Sequence, residues 1–163
     1  MRVEDSAPAD SRIGYAMEQI GDTIERVLQD IEDKKIKKNR SFSDAGMAEI
    51  CHLHERLLSN LRLGMSVFLD GHVRDARKLL EEKARFRDLE HAYAANHLAR
   101  LQDNTAQSIE TSSLHLDLIS DLKRINSHIC SIAYPILETA GVLAQTRIRP
   151  SRLAEMGPDD TQH

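Results

Sequence analysis

The chain has 163 residues, 40% of them hydrophobic, 29% charged and 4% aromatic, with a formal net charge of −4. That length supports one domain with one substantial core. The lack of Trp and the scarcity of Phe and Tyr argue against a large β-sandwich, whose strands draw on aromatic and β-branched residues. The acidic balance excludes nucleic acid as a primary partner, because such a binder needs a concentrated basic field.

Seven Gly and four Pro leave little punctuation, so few and long helices are expected. Cys51 and Cys130 are too few for a disulfide framework and fall in apolar-patterned stretches, which reads as reduced and cytosolic. Residues 1–10 contain no apolar core of the kind a secretory signal needs. The longest stretch free of Asp, Glu, Lys and Arg, Ile125 to Leu137, falls short of the ~20 apolar residues of a membrane span.

Ile13, Met17, Ile20, Ile24, Val27 and Ile31 recur at steps of four and three and predict a first helix. Asp10 or Ser11 is its expected N-cap, and Lys34, Lys35, Lys37 and Lys38 suit the negative end of its dipole. Those lysines with Arg40 could also touch an anionic membrane surface. Asn39 to Ser43 reads as a connection, with Ser43 as the next N-cap.

The second helix is expected to bury Met47, Ile50, Leu57, Leu61, Met65 and Phe68, with His54 and Gly64 on the same stripe, and to stop at Asp70-Gly71. His54 there reads as a buried, hydrogen-bonded histidine. The third helix, Val73 to Gln102, alternates Leu79, Phe86 and Tyr93 with Lys83, Glu90 and His97, which are expected to pair across the bundle or reach for solvent. Asp103-Asn104-Thr105 is expected to break it. Ser108 or Thr111 would cap a fourth helix carrying Leu114, Leu118, Leu122, Ile125, Ile129, Ile132 and Ile136, interrupted near Tyr134 by Pro135. Asp117, Asp121, Arg124 and His128 form a row on it, read as same-helix ion pairing.

The pattern predicts an all-α, antiparallel up-and-down bundle of four long helices over 11–145, with loose ends at 1–10 and 146–163. A shift of 105 positions lays the first stripe on Leu118, Leu122, Ile125, Ile129, Ile132 and Ile136, and aligns Glu18 with Lys123 and Asp22 with Ser127.

Glu18 and Asp22 stand one turn apart, where both could reach one hard cation if another helix supplied further ligands; an ordinary solvated acidic face is the plainer reading. Glu49-x-x-His52 and Asp88-x-x-His91 are similar to the ligand pattern of ferritin-like bundles, but two-position offsets turn them away from the predicted seams. No phosphate loop, nucleophile elbow or Cys-x-x-Cys pair occurs, so no enzyme is expected.

The stretch Ser108 to Glu138 resembles the last helix of the PhoU-type domain at the cytoplasmic C-terminus of bacterial sodium/phosphate cotransporter family proteins. Glu18-Gln-Ile-Gly-Asp22 resembles a signature that closes a PhoU repeat, and Glu81 to Glu90 also fits. The resemblance implies a three-helix repeat plus one preceding helix, with the opening helices of a first repeat absent. The chain would then be a fragment, a truncated product or a shortened stand-alone form. It also implies a non-enzymatic regulatory or accessory module of sodium-dependent phosphate transport, at the inner face of the cell membrane. Its expected partner is a membrane phosphate transporter or a phosphate-signalling protein, with homodimerisation as a further possibility. Glu18 and Asp22 match the family's metal motif for a divalent or ferric ion, whereas Lys123 and Ser127 replace its second acidic pair. The alternatives are a stand-alone metal-binding bundle using Glu49, His52, Asp88 and His91, and a structural helical dimer.

Overall fold

A computed structural model describes residues 9–102 and 109–142, and its regular structure there is entirely helical. The elements are α1 (Ala9–Ile31), a π-helical turn (Glu32–Ile36), α2 (Asp44–Asp70), α3 (Val73–Gln102), α4 (Ser112–Cys130) and α5 (Ala133–Thr139). The expected loose segments, the Asp103–Thr105 break and the Ser108 cap lie outside the described residues, apart from the start of α1.

Local chemistry explains most of the boundaries. The Ser43 hydroxyl accepts a hydrogen bond from the Gly46 amide at 3.2 Å and starts α2. Gly71 ends α2 in the left-handed region at φ 65°, where a Cβ would be strained. After α1 the chain widens into the π turn, and Asn39 closes it at φ 50°, a conformation Asn tolerates better than most side chains. Pro135 cannot donate to the Ser131 carbonyl, and the helix breaks at Ser131–Ile132 into α4 and α5. One expected cap fails, and of the pair expected before α4 only Thr111 is described. Helix α1 already runs from Ala9, so neither Asp10 nor Ser11 precedes it, and the Thr111 side chain makes no capping bond at the start of α4.

The four long helices alternate in direction. Helix α1 runs antiparallel to α4–α5, fastened by Arg12–Glu138 at 3.3 Å, Arg26–Asp121 at 2.5 Å and Lys34–Asp117 at 3.5 Å. The acidic part of the Asp117–His128 row therefore ties two helices together, and the same-helix Arg124–Asp121 contact at 3.7 Å is the looser one. Helix α2 runs parallel to α4, and α3 antiparallel to both, as Asn60–Asn126 and Lys123–Glu90 register.

Helix α4 is the axis: ten of its nineteen residues are buried, and α1, α2 and α3 all pack against it. Leu114, Leu118, Leu122, Ile125 and Ile129 are inside as their spacing predicts. One core layer joins Leu118, Ile119, Leu122, Ile125 and Ile129 to Leu53, Leu57 and Phe86; a second, around the break, joins Val67, Ala76 and Leu79 to Cys130, Ala133 and Leu137.

The seam of α2 differs from expectation. Its buried residues are Gly46, Glu49, Leu53, Leu57, Asn60, Gly64 and Val67. Met47, Leu61, Met65 and Phe68 each follow a buried residue by one position, are therefore turned by about 100°, and are exposed. His54 and Cys51 are exposed on the same side, so neither is the buried group its pattern suggested. Close packing explains the rotation. A Cβ on Gly64 would stand 3.0 Å from Ile129 Cγ2, and one on Gly46 3.1 Å from His115 Nδ1, so the backbone of α2 approaches α4 where side chains are missing. Helix α1 shows the same offset, with Ala16 and Thr23 buried while Met17 and Ile24 are exposed.

Candidate functional site

The side of α2 that the bundle leaves uncovered is its most apolar one. Leu58, Leu61, Met65, Phe68 and Leu69 follow one another at helical spacing and are all exposed, Met65 and Phe68 to 45% and Leu69 to 72%. Met47 and Cys51 extend the stripe toward the start of the helix. On α1, Met17, Ile24 and Leu28 are exposed as a second apolar row. Single exposed apolar residues are ordinary, whereas a row along one helix is a contiguous apolar patch. Covering the exposed half of one such side chain contributes about 1 kcal/mol.

Beneath the other side of α2 lies a buried polar layer. Arg100 on α3 donates to both Glu49 carboxylate oxygens, at 2.9 and 2.7 Å, and that bonding holds its guanidinium firmly charged. His115 Nε2 stands 3.3 Å from the same carboxylate, and the His115 ring stacks on His97 at 4.6 Å between centroids. His97 bonds the Ser112 hydroxyl at 2.9 Å. Burial, the neighbouring imidazole and Arg100 push His115 down to about 4, and burial with Arg100 lowers His97, so both rings are neutral near pH 7. One layer along, Asn60 Nδ2 donates to Asn126 Oδ1 at 2.8 Å, and Asn126 Nδ2 faces Cys130 Sγ at 3.7 Å. Burial pushes the Cys130 thiol up to about 12, which makes it a packing group rather than a nucleophile.

This layer corrects the expected orientation of Glu49: it faces the interior and is consumed by Arg100 and His115. His52, Asp88 and His91 are exposed. His52 bonds the Tyr93 hydroxyl, Asp88 pairs with Arg87 at 3.4 Å, and His91 lies 3.4 Å from Glu90. The four do not converge, which removes the ferritin-like arrangement. The mixed stripe of α3 pairs across the bundle as expected, with Lys83 donating to the Tyr134 hydroxyl at 3.1 Å, Glu90 meeting Lys123 at 3.1 Å and His97 meeting Ser112.

Glu18 and Asp22 are exposed one turn apart on α1. Among the described residues no three His, Cys, Asp or Glu side chains gather closely enough to hold a metal ion. No described helix is long and apolar enough to cross a membrane. The apolar stripe was visible in the sequence but assigned to the core. The signal that could have separated the two faces is the Gly46, Asn60, Gly64 series, whose small and polar residues mark a close helix contact.

Comparison with known proteins adds the relationship. The PhoU domain profile matches residues 50–136, which run from α2 to α5. The chain is 50% identical over 122 residues to a Salmonella typhimurium protein named "Putative inorganic phosphate export protein YjbB". It is 49% identical, over the same length, to proteins of that name from Escherichia coli K12 and Shigella flexneri. These matches cover 75% of this chain and 22% of each relative, so the chain spans about a fifth of the curated relatives' length. No solved structure matches it significantly. With the profile covering more than half of its residues and the helices packed as described, the chain belongs to the PhoU domain family.

Proposed function

We propose that this chain is a non-enzymatic, cytosolic accessory module of phosphate transport that docks the exposed apolar face of α2 on a membrane transporter or phosphate-signalling protein. The single observation carrying this reading is that face: a row of Leu, Met and Phe left uncovered while Gly, Asn and Glu share the seam with Leu53, Leu57 and Val67. The export role in the relatives' name supports the phosphate context, and the resemblance to the sodium/phosphate cotransporter family supports a place at the inner face of the membrane. A regulator acts by contacting two states of its partner unequally, and an apolar row that only one state can cover supplies that difference.

The test is phosphate flux in cells carrying Met65→Ser with Phe68→Ser. Flux control is expected to be lost while the purified variant keeps its helical signal and most of its stability; unchanged control overturns the docking reading. The same face favours one rival, self-association. Light scattering at two concentrations separates them, a constant monomer mass being expected and a mass that rises with concentration favouring the dimer. Within this reading Glu18 and Asp22 hold a divalent or ferric ion that stiffens α1. Stoichiometric metal in purified protein, absent from Asp22→Ala, is the expected result, and a metal-free wild type overturns it.

A further inference from the structure

On the side formed by α3, α4 and α5 a groove of about 480 Å³ has basic and hydroxyl side chains around an apolar floor to which Leu80 and Ala84 contribute. Lys83, Arg87 and His91 follow one another at four-residue steps along α3, and Lys123 and Ser127 do the same on α4, with Tyr134 closing one end from α5. This is the place where the 105-residue shift sets Lys123 against Glu18 and Ser127 against Asp22. The α1 pair offers two carboxylates, and its counterpart offers an ammonium and a hydroxyl.

The groove's charges are incompletely neutralised. Glu90 pairs with Lys123 at 3.1 Å and lies 3.4 Å from His91, and exposed Asp88 meets Arg87 at 3.4 Å. Lys83 has no carboxylate within ion-pairing distance among the described residues; it donates to the Tyr134 hydroxyl at 3.1 Å and stands 5.2 Å from the centre of that ring. Because the phenol oxygen accepts from Lys83, its own proton is left to donate elsewhere. The Ser127 hydroxyl likewise has no hydrogen-bond partner among the described residues. The positive field extends to His128, whose imidazole is lowered by burial, Arg124 and Lys83.

We propose that this groove binds a small tetrahedral oxyanion, inorganic phosphate, with Lys83, Arg87 and Lys123 as charge partners and the Ser127 and Tyr134 hydroxyls as donors. The geometry selects an oxyanion; the choice of phosphate rests on the phosphate context proposed above. A basic row on α3 facing the single ammonium of Lys123 on the antiparallel α4, with hydroxyls at one end, supplies the charge-assisted donors such an anion requires.

The test is a titration of the full chain with inorganic phosphate at pH 7 and constant ionic strength, read by amide chemical shifts, with chloride as the control. Saturable shifts confined to α3, α4 and α5 are expected. Lys83→Gln should weaken the binding by about tenfold or more, as loss of one charge-assisted hydrogen bond implies, and Ser127→Ala by a smaller factor. No saturable response, shifts spread evenly over all basic residues including Lys34–Arg40, or an unaltered affinity in Lys83→Gln overturns the site. The wild-type titration decides without any variant having to fold. Vesicles of phosphatidylglycerol form a second arm: if they perturb the groove while free phosphate does not, the ligand is a lipid headgroup and the proposal fails. Flux control in cells without phosphate binding in vitro discards this site and leaves the docking role standing. Groove binding without flux control discards the role and leaves the site standing.

Discussion

The two sides of α2 are one residue apart in sequence and opposite in character. Gly46, Glu49, Asn60 and Gly64 face α3 and α4, where the backbones come close, Glu49 meets Arg100 and Asn60 meets Asn126. Met47, Leu61, Met65 and Phe68 face outward with their apolar surface uncovered. The difference teaches that close backbone approach and hydrogen bonding, together with the buried Leu53, Leu57 and Val67, choose the inward side, and that the apolar surface left over is available for something else.

The largest expected effect comes from the polar side. Glu49→Ala leaves Arg100 and His115 without their carboxylate in a largely buried layer, and chemical denaturation should register a loss of about 3–5 kcal/mol. Replacing Arg100 as well, by Met, should recover much of that loss, since the unpaired charge goes with it. If Glu49→Ala unfolds at the wild-type midpoint, the layer is not what holds α2 to α3.

Acid should separate the two sides next. The His115 imidazole takes up a proton near 6.5 in the unfolded chain but only near 4 in the fold, so the unfolded state binds more protons between those values and stability falls as pH drops through them. The loss is expected to reach about 3 kcal/mol at pH 4. His97, shifted the same way, adds to it in the same direction. A His115→Leu variant should flatten the profile, and a profile equally steep in the variant would assign the acid sensitivity elsewhere.

Steric change at the seam ranks third. Gly64→Val must push against Ile129, which is almost fully buried, and should cost about 1–3 kcal/mol of thermal or denaturant stability. The smallest effect belongs to the exposed face. Met65→Ser and Phe68→Ser are each expected to cost only about 1 kcal/mol in the isolated chain, the worth of the half of each side chain that the bundle already covers. A large loss there would mean that the stripe is already covered, and would sink the contrast between the two sides.

Much of the architecture was legible because it rests on local chemistry. Ser43 as a hydroxyl cap, Gly71 as a left-handed stop, the span Val73–Gln102 and the interruption before Pro135 each follow from one residue's donors, acceptors or allowed dihedrals. The stripe of α4 was legible for another reason: it is apolar on nearly every side that meets a neighbour, so no rotation could hide it. The α3 pairings were half legible, since alternating Lys83, Glu90 and His97 with Leu79 and Phe86 demanded partners without naming them. The groove of Lys83, Arg87, Lys123 and Ser127 was not legible at all, because it is assembled from two helices whose register only packing defines.

The sequence alone therefore determined that this protein is helical, where most of its long helices begin or end, and which stripe of α4 turns inward. Only the tertiary structure decided which side of α1 and α2 turns inward. Hydrophobic spacing measures how much surface an element would gain by burial, but it carries no term for how closely two backbones can approach. Here that approach, at Gly46 and Gly64 and around Asn60 and Glu49, outweighed the larger apolar area one residue further on.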